Sequence, residues 1–212
     1  MADTVIRNAT IIDGTGGPRF TGDVAIEDGH ISEVGSSSSR SAIEVDATGL
    51  VLAPGFVDVH THDDGALLQH PDMEFKISQG CTSVVVGNCG FSAIPAVVGK
   101  KTLDLSGVDA NWTDLEGYRH DVEKVGPAVN AMMLVGHNTI RSLEMGNERR
   151  APRDGELERM REHIGLAMEQ GACGFSTGLI YRPGRWSDTE EVLELAKAVA
   201  PFDGIYATHM RN

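Results

Sequence analysis

From Val51 onward, short apolar runs rich in β-formers alternate with helix-patterned segments, and this alternation limits the fold more than any other feature of the sequence. Strand-like runs cover Leu52–Val59, Cys81–Gly87, Ala128–Val135, Ala172–Ser176 and Gly204–His209. Helical signals fill the gaps. Pro71 suits the first turn of a segment reaching Gln79, with Gly80 past its end. Thr113 and Glu116 read as a capping box for a helix towards Val125, after a long connection that ends near Asn111. In Asp154–Gln170 the residues Leu157, Met160, Ile164, Ala167 and Met168 share a face. Ser187 and Glu190 read as the cap of a last helix, with Val192, Leu195, Ala196 and Val199 inward. Strict alternation implies a parallel sheet with helical crossovers. An open doubly wound sheet and a (β/α) barrel both satisfy it. No G-x-G-x-x-G follows the first run, which weakens a dinucleotide-binding reading.

The unusual polar residues favour the barrel, with the open sheet as the alternative. His60, His62, Cys89, His137, Tyr181 and His209 all follow strands. Barrels of this class carry their chemistry at the C-terminal ends of their strands. The expected fold class is therefore α/β, a partial (β/α)8 TIM-like barrel of about five strands preceded by an N-terminal β-sandwich segment. The expected division is residues 1–52 and 53–212. The first segment reads as Thr4–Ile12, a hairpin turning at Asp28-Gly29, a four-serine loop at Ser36–Ser39 and a short run Ile43–Ala47. Nothing in it looks catalytic, and His30 reads as surface. A complete barrel takes about 250 residues and only about 160 follow Leu52, so the barrel is expected to stop after its fifth strand.

In a strand, residues i and i+2 point the same way. His60 and His62 therefore project together, about 7 Å apart along the chain. Two imidazoles on one face can ligate one divalent ion, and zinc is the usual guest. Cys89, between two small residues just past an apolar strand, is a candidate thiolate ligand; a small buried hydrophobe is its alternative. His209 matches the others in position. His137 could orient a ligand or be an ordinary strand-end histidine. His70, His120 and His163 read as surface. Cys81 lies at the wrong end of its strand and Cys173 reads as core. Asp63 and Asp64 follow the histidine pair and read as capping or supporting groups rather than as the catalytic base. A metal here would lower the pKa of bound water to about 7 and polarise a carbonyl, which is hydrolytic chemistry.

Bulk properties exclude other classes. The formal net charge is −13, with acids spread through the chain, which argues against nucleic-acid and anionic-membrane partners. No apolar run spans a bilayer, and no charged start with an apolar core marks a signal peptide. Three cysteines are too few for a disulfide scaffold and fit a reducing compartment, so a cytoplasmic location is expected.

Several segments together resemble the D-aminoacylase (N-acyl-D-amino-acid deacylase) family of the metal-dependent amidohydrolase superfamily. They are His60-Thr61-His62, Gly87-Asn88-Cys89-Gly90-Phe91-Ser92, Gly136-His137-Asn138-Thr139, Gly174-Phe175-Ser176-Thr177-Gly178-Leu179-Ile180-Tyr181 and Thr208-His209-Met210-Arg211. The histidine pair marks only the superfamily. The cysteine after strand two is more specific, because most relatives bridge their metals with a carboxylated lysine or a glutamate from strand four, and strand four here has neither. The resemblance implies a tight zinc held by Cys89 and His209, with His60 and His62 facing a second, weaker site. It implies that Tyr181 helps bind the substrate carboxylate. The fold it implies is a β-sandwich assembled from both chain ends plus a TIM-like barrel. The reaction it implies is removal of the N-acyl group from a small N-acyl-D-amino acid. A further zinc-binding histidine and the catalytic aspartate of that family would lie beyond Asn212. The chain is thus expected to be the N-terminal part of such an enzyme, inactive alone, with a complementary C-terminal half or a second copy as partner. Other amidohydrolases of the hydantoinase or dihydroorotase type, and a non-catalytic metal-binding fragment, are the competing readings.

Overall fold

The computed structural model describes residues 2–211. The chain divides into two compact units, the first ending at Gly55 and the second beginning at Phe56. The first is built around β1 (Thr4–Ile11), β2 (Phe20–Glu27), β3 (His30–Gly35), β4 (Ile43–Asp46) and β5 (Val51–Leu52). They form one mixed sheet in the order β3-β2-β1-β4, with β5 also on β1. β1 and β2 are antiparallel, as are β2 and β3, whereas β4 and β5 run parallel to β1. Asp28 and Gly29 both have positive φ, as the tight turn between β2 and β3 requires. Ala9, Ile11, Val24 and Ala47 make a small buried cluster.

The second unit contains β6 (Phe56–Asp58), α1 (Ala66–Gln69), α2 (Glu74–Ile77), β7 (Cys81–Val86), α3 (Ala96–Thr102), α4 (Leu115–Val125), β8 (Asn130–Gly136), α5 (His137–Met145), α6 (Asp154–Glu169), β9 (Gly174–Gly178), α7 (Thr189–Ala196) and β10 (Ile205–His209). Its five strands lie in chain order, β10-β9-β8-β7-β6, and every pairing is parallel. Chain-order parallel strands joined by helices form the parallel sheet that the alternation predicts, in the sequential order of a (β/α) barrel. Val84, Val86, Met133, Val135 and Phe175 point to the helices and pack with Met160, Ile164 and Leu195, all buried. Each fully buried side chain of this size favours the fold by about 1.5–3 kcal/mol over leaving it exposed. The opposite face carries Val57, Met132 and Ile205, each more than half exposed. Among the described residues, no helix is long and apolar enough to cross a membrane.

Several local expectations shift. The strand expected over Leu52–Val59 is two pieces, because Pro54-Gly55 breaks it; Leu52 pairs with Ile11 and Phe56 with Cys81. The helix caps fall one residue later than Thr113 and Ser187. Asp114 accepts from the Gly117 amide at 3.0 Å, and Asp188 from the Glu191 amide at 2.8 Å. A carboxylate at the Ncap answers both the exposed amides and the helix dipole. Ser187 instead donates to the Gly184 carbonyl. The long connection before Asn111 contains α3, and His137 opens α5 rather than simply ending a strand.

Candidate metal centre

Past Asp58 the chain leaves the sheet, yet the alternation persists for one more pair. The Thr61 amide donates to the Val85 carbonyl at 3.3 Å and Thr61 is buried. His60 and His62, on either side, point outward with ring centroids 5.9 Å apart. Lys76 from α2 braces this segment, pairing with Asp58 at 2.7 Å and Asp63 at 2.9 Å and donating to Thr61 at 3.3 Å. Asp64 turns the other way and is fully buried. Its carboxylate accepts from the amides of Gly87 (3.3 Å) and Ala93 (3.1 Å), and burial pushes its pKa up to about 7. It ties the histidine segment to the turn that carries Cys89.

That turn is a single 3-10 turn, Asn88–Gly90. Gly87, Cys89 and Gly90 all have positive φ. A side chain at Gly87 would run into the Leu134 carbonyl, and one at Gly90 into the Gly178 amide, so glycine is required by both conformation and space. Cys89 itself is held left-handed at φ 54°, which aims its thiol at the strand ends. Its Sγ lies 3.3 Å from His60 Nε2 and 3.7 Å from His209 Nδ1. Donor atoms of His60, His62 and Cys89 all fall within 4.8 Å of one another. His209, at the end of β10, joins through Cys89, and the Tyr181 hydroxyl is 3.3 Å from the same His209 Nδ1. His62, Cys89 and Tyr181 open onto a cleft completed by Phe91, Thr102, Leu103 and Asp104.

The donor set fits a metal. Two nitrogens and a sulfur converge within 4.8 Å of one another, close enough to share one ion, and borderline-soft divalent ions prefer such ligands. Enclosure, and then the neighbouring His60, hold the His62 imidazole below its ordinary range, which favours the neutral, ligating form. Burial pushes the Cys89 thiol up. Binding a cation there would be coupled to proton release.

The expected positions do not all converge. His60, His62, Cys89, His209 and Tyr181 gather at one mouth. His137 does not join them: its Nε2 meets Glu191 at 2.8 Å in a fully buried cluster with Arg141. The helix that begins at residue 137 turns the imidazole towards α7. His163, expected at the surface, is half-buried and paired with Glu144 at 2.9 Å. His30, His70 and His120 are exposed. Cys81 opens β7, and Cys173 is half-buried with its thiol donating to the Met133 carbonyl. Sequence reasoning missed Ser176 and Asn138, which touch the backbone around Cys89, and Lys76, which pairs with the side chains of Asp58 and Asp63. Only Lys76, a lone cation just after the acidic Asp63-Asp64 pair, had a visible signal.

A curled parallel β/α sheet with an imidazole–thiol cluster at the C-terminal ends of its strands is the arrangement of a (β/α)-barrel protein whose site lies at that face. The comparisons make this specific: the sequence model of the amidohydrolase family matches residues 44–202, and the chain belongs to that family. It is 42% identical to N-acyl-D-aspartate deacylase of Alcaligenes xylosoxydans xylosoxydans, over 100% of this chain and 44% of the relative. It superposes on the crystal structure of D-aminoacylase with a TM-score of 0.94 and 38% identity, covering 100% of this chain and 46% of the other. It superposes on N-acyl-D-glutamate deacylase from Bordetella bronchiseptica, a complex with zinc and a phosphonate mimic of the tetrahedral intermediate, with a TM-score of 0.93 and 39% identity. That match covers 100% of this chain and 45% of the other. The chain thus spans somewhat under half the length of these relatives.

Proposed function

We propose that this chain supplies the metal-binding half of an enzyme that hydrolyses the amide bond of small N-acyl-D-amino acids. The observation that carries the reading is the convergence of Cys89, His60 and His62 within 4.8 Å at the strand ends. In this reading Cys89 and His209 hold a tightly bound zinc, and His60 and His62 face a second, weaker site. A zinc ion there supplies an acidified water and a polarised carbonyl. Tyr181 donates to the substrate carboxylate. Its hydroxyl lies 3.3 Å from His209 Nδ1, the nitrogen that also faces Cys89 Sγ at 3.7 Å, so the tyrosine stands beside the group that would hold the metal. Phe91 packs on Tyr181 with centroids 5.7 Å apart and keeps the ring at the cleft.

The strand-four position supports the deacylase over a hydantoinase-type enzyme. β9 is Gly-Phe-Ser-Thr-Gly and offers neither lysine nor carboxylate. The exposed concave residues Val57, Met132 and Ile205 support a need for further strands, the rest of a sandwich-plus-barrel protein, before turnover. By itself the chain then has negligible deacylase activity. Three unpaired thiols agree with a reducing, cytoplasmic setting. The test mixes the chain with the remaining portion of the D-aminoacylase it resembles, adds zinc, and assays N-acetyl-D-methionine against a hydantoin. Hydrolysis of N-acetyl-D-methionine that vanishes in Cys89→Ser is expected. A preference for the hydantoin, or turnover indifferent to Cys89, would refute the reading.

A further inference from the structure

The hydroxyl of Ser176 closes the turn that carries Cys89. Ser176 lies on β9 and is fully buried. Its Oγ donates to the Gly87 carbonyl at 2.5 Å and accepts from the Gly90 amide at 3.0 Å. Gly87 precedes the turn and Gly90 closes it, so one side chain satisfies a backbone acceptor at its entry and a backbone donor at its end. Both groups are buried, and each would otherwise carry the cost of an unmet hydrogen bond. The contact crosses the sheet, since β8 lies between β7 and β9.

The register adds a second constraint. Ser176 pairs with Ala207, and Gly178 with His209. Side chains two apart on a strand share a face, so Ser176 and His209 project from the same side of the sheet. The side chain that shapes the Cys89 turn therefore belongs to the same rigid surface that presents His209. Asn138 adds a longer contact, its amide nitrogen lying 3.3 Å from the Gly178 carbonyl and 3.5 Å from the Cys89 carbonyl. No slack remains. A Cβ at Gly178 would sit 1.9 Å from the Cys89 carbonyl oxygen, so the backbones of β9 and the turn are already in contact.

We infer that Ser176 is a positioning residue that fixes the left-handed turn at Cys89 and so sets the thiol against His60 and His209. The inference rests on the metal-centre reading and deepens it. Strand four, which offers no metal ligand, instead supplies the hydroxyl that holds the ligand from strand two.

The test titrates the purified chain with Co2+ alone, following the near-ultraviolet sulfur-to-metal charge-transfer band. The wild-type chain is expected to give this band and Cys89→Ser to lose it. Ser176→Ala is expected to weaken Co2+ binding roughly 10- to 100-fold, the usual effect of removing a group that orients a ligand. At saturation it should also shift or weaken the band per bound ion, which a loss of fold stability alone would not do. Ser176→Thr, which keeps the hydroxyl, should recover most of both. A folded Ser176→Ala chain with the wild-type affinity and band overturns the inference while leaving the metal reading intact. Absence of the band in the wild-type chain overturns the metal reading and the inference with it. If Ser176→Ala does not fold in buffer, the titration is repeated in concentrated sucrose, which favours the folded state. A chain that stays unfolded there assigns Ser176 a purely structural role and overturns the inference.

Discussion

Replacing Glu191 by leucine tests the cluster of Glu191, Arg141 and His137, whose side chains are all fully buried. Glu191 is 2% exposed, and Arg141 and His137 are both 0% exposed. One Arg141 nitrogen donates to both Glu191 oxygens, at 2.8 and 2.6 Å, and His137 meets the first at 2.8 Å. The other terminal nitrogen of Arg141 donates to the Arg150 carbonyl at 2.6 Å. Leucine roughly preserves the volume of Glu191, so the main loss is the carboxylate. It leaves a guanidinium buried beside an imidazole with no counter-charge. Breaking a buried ion pair from one side costs about 3–5 kcal/mol, a large share of the roughly 5–15 kcal/mol that holds a domain folded. With a urea dependence of about 2 kcal/mol per molar, the midpoint should fall by about 1.5–2.5 M. Both tryptophans of the chain, Trp112 and Trp186, belong to the second unit, so tryptophan fluorescence follows that unit alone. Glu191→Gln, which keeps one acceptor oxygen, should lie between wild type and Glu191→Leu. A midpoint within about 0.5 M of wild type for the leucine variant would refute the argument that this cluster ties α5 to α7.

Two further outcomes follow from the caps and from the Arg150–Glu156 pair. Asp114→Ala should destabilise the second unit by about 1 kcal/mol in the same urea assay, whereas Thr113→Ala should change it little, because Asp114 makes the cap contact. Arg150, which donates to both Glu156 oxygens, holds that carboxyl down at about 2. The folded pKa lies below the ordinary value of 4.5, so the pair's contribution is present above pH 4.5 and is lost as pH falls towards 2. Glu156→Gln should therefore flatten the fall in thermal midpoint over that window, and an unchanged acid limb would contradict the assignment.

Much of the architecture is legible from pattern alone. The alternation from Val51 dictates a parallel sheet, because helical crossovers return each strand in the same direction. The placing of His60, His62, Cys89 and His209 after strands dictates that they share one end of it. Period-two alternation even holds past the end of β6, where buried Thr61 separates two outward histidines. Local signals failed where a competing group lay one residue away, as Asp114 and Asp188 took the caps from Thr113 and Ser187. For His137 the sequence leaves two readings open, an orienting group or an ordinary satisfied histidine. Its spacing to Arg141, four residues along α5, is visible in the sequence, but the carboxylate that claims both comes from Glu191.

The sequence by itself determined the residue types of the cluster and the end of the sheet at which they stand, since these follow from strand period and chain order. Only the tertiary structure decided which of them meet, and how closely. The 3.3 Å approach of Cys89 to His60 depends on a left-handed backbone at Cys89. It also depends on the hydroxyl of Ser176, 87 residues further along the chain than Cys89, and on a buried carboxylate at Asp64. Such contacts are set by distances across the sheet rather than along the chain, and no local periodicity records them.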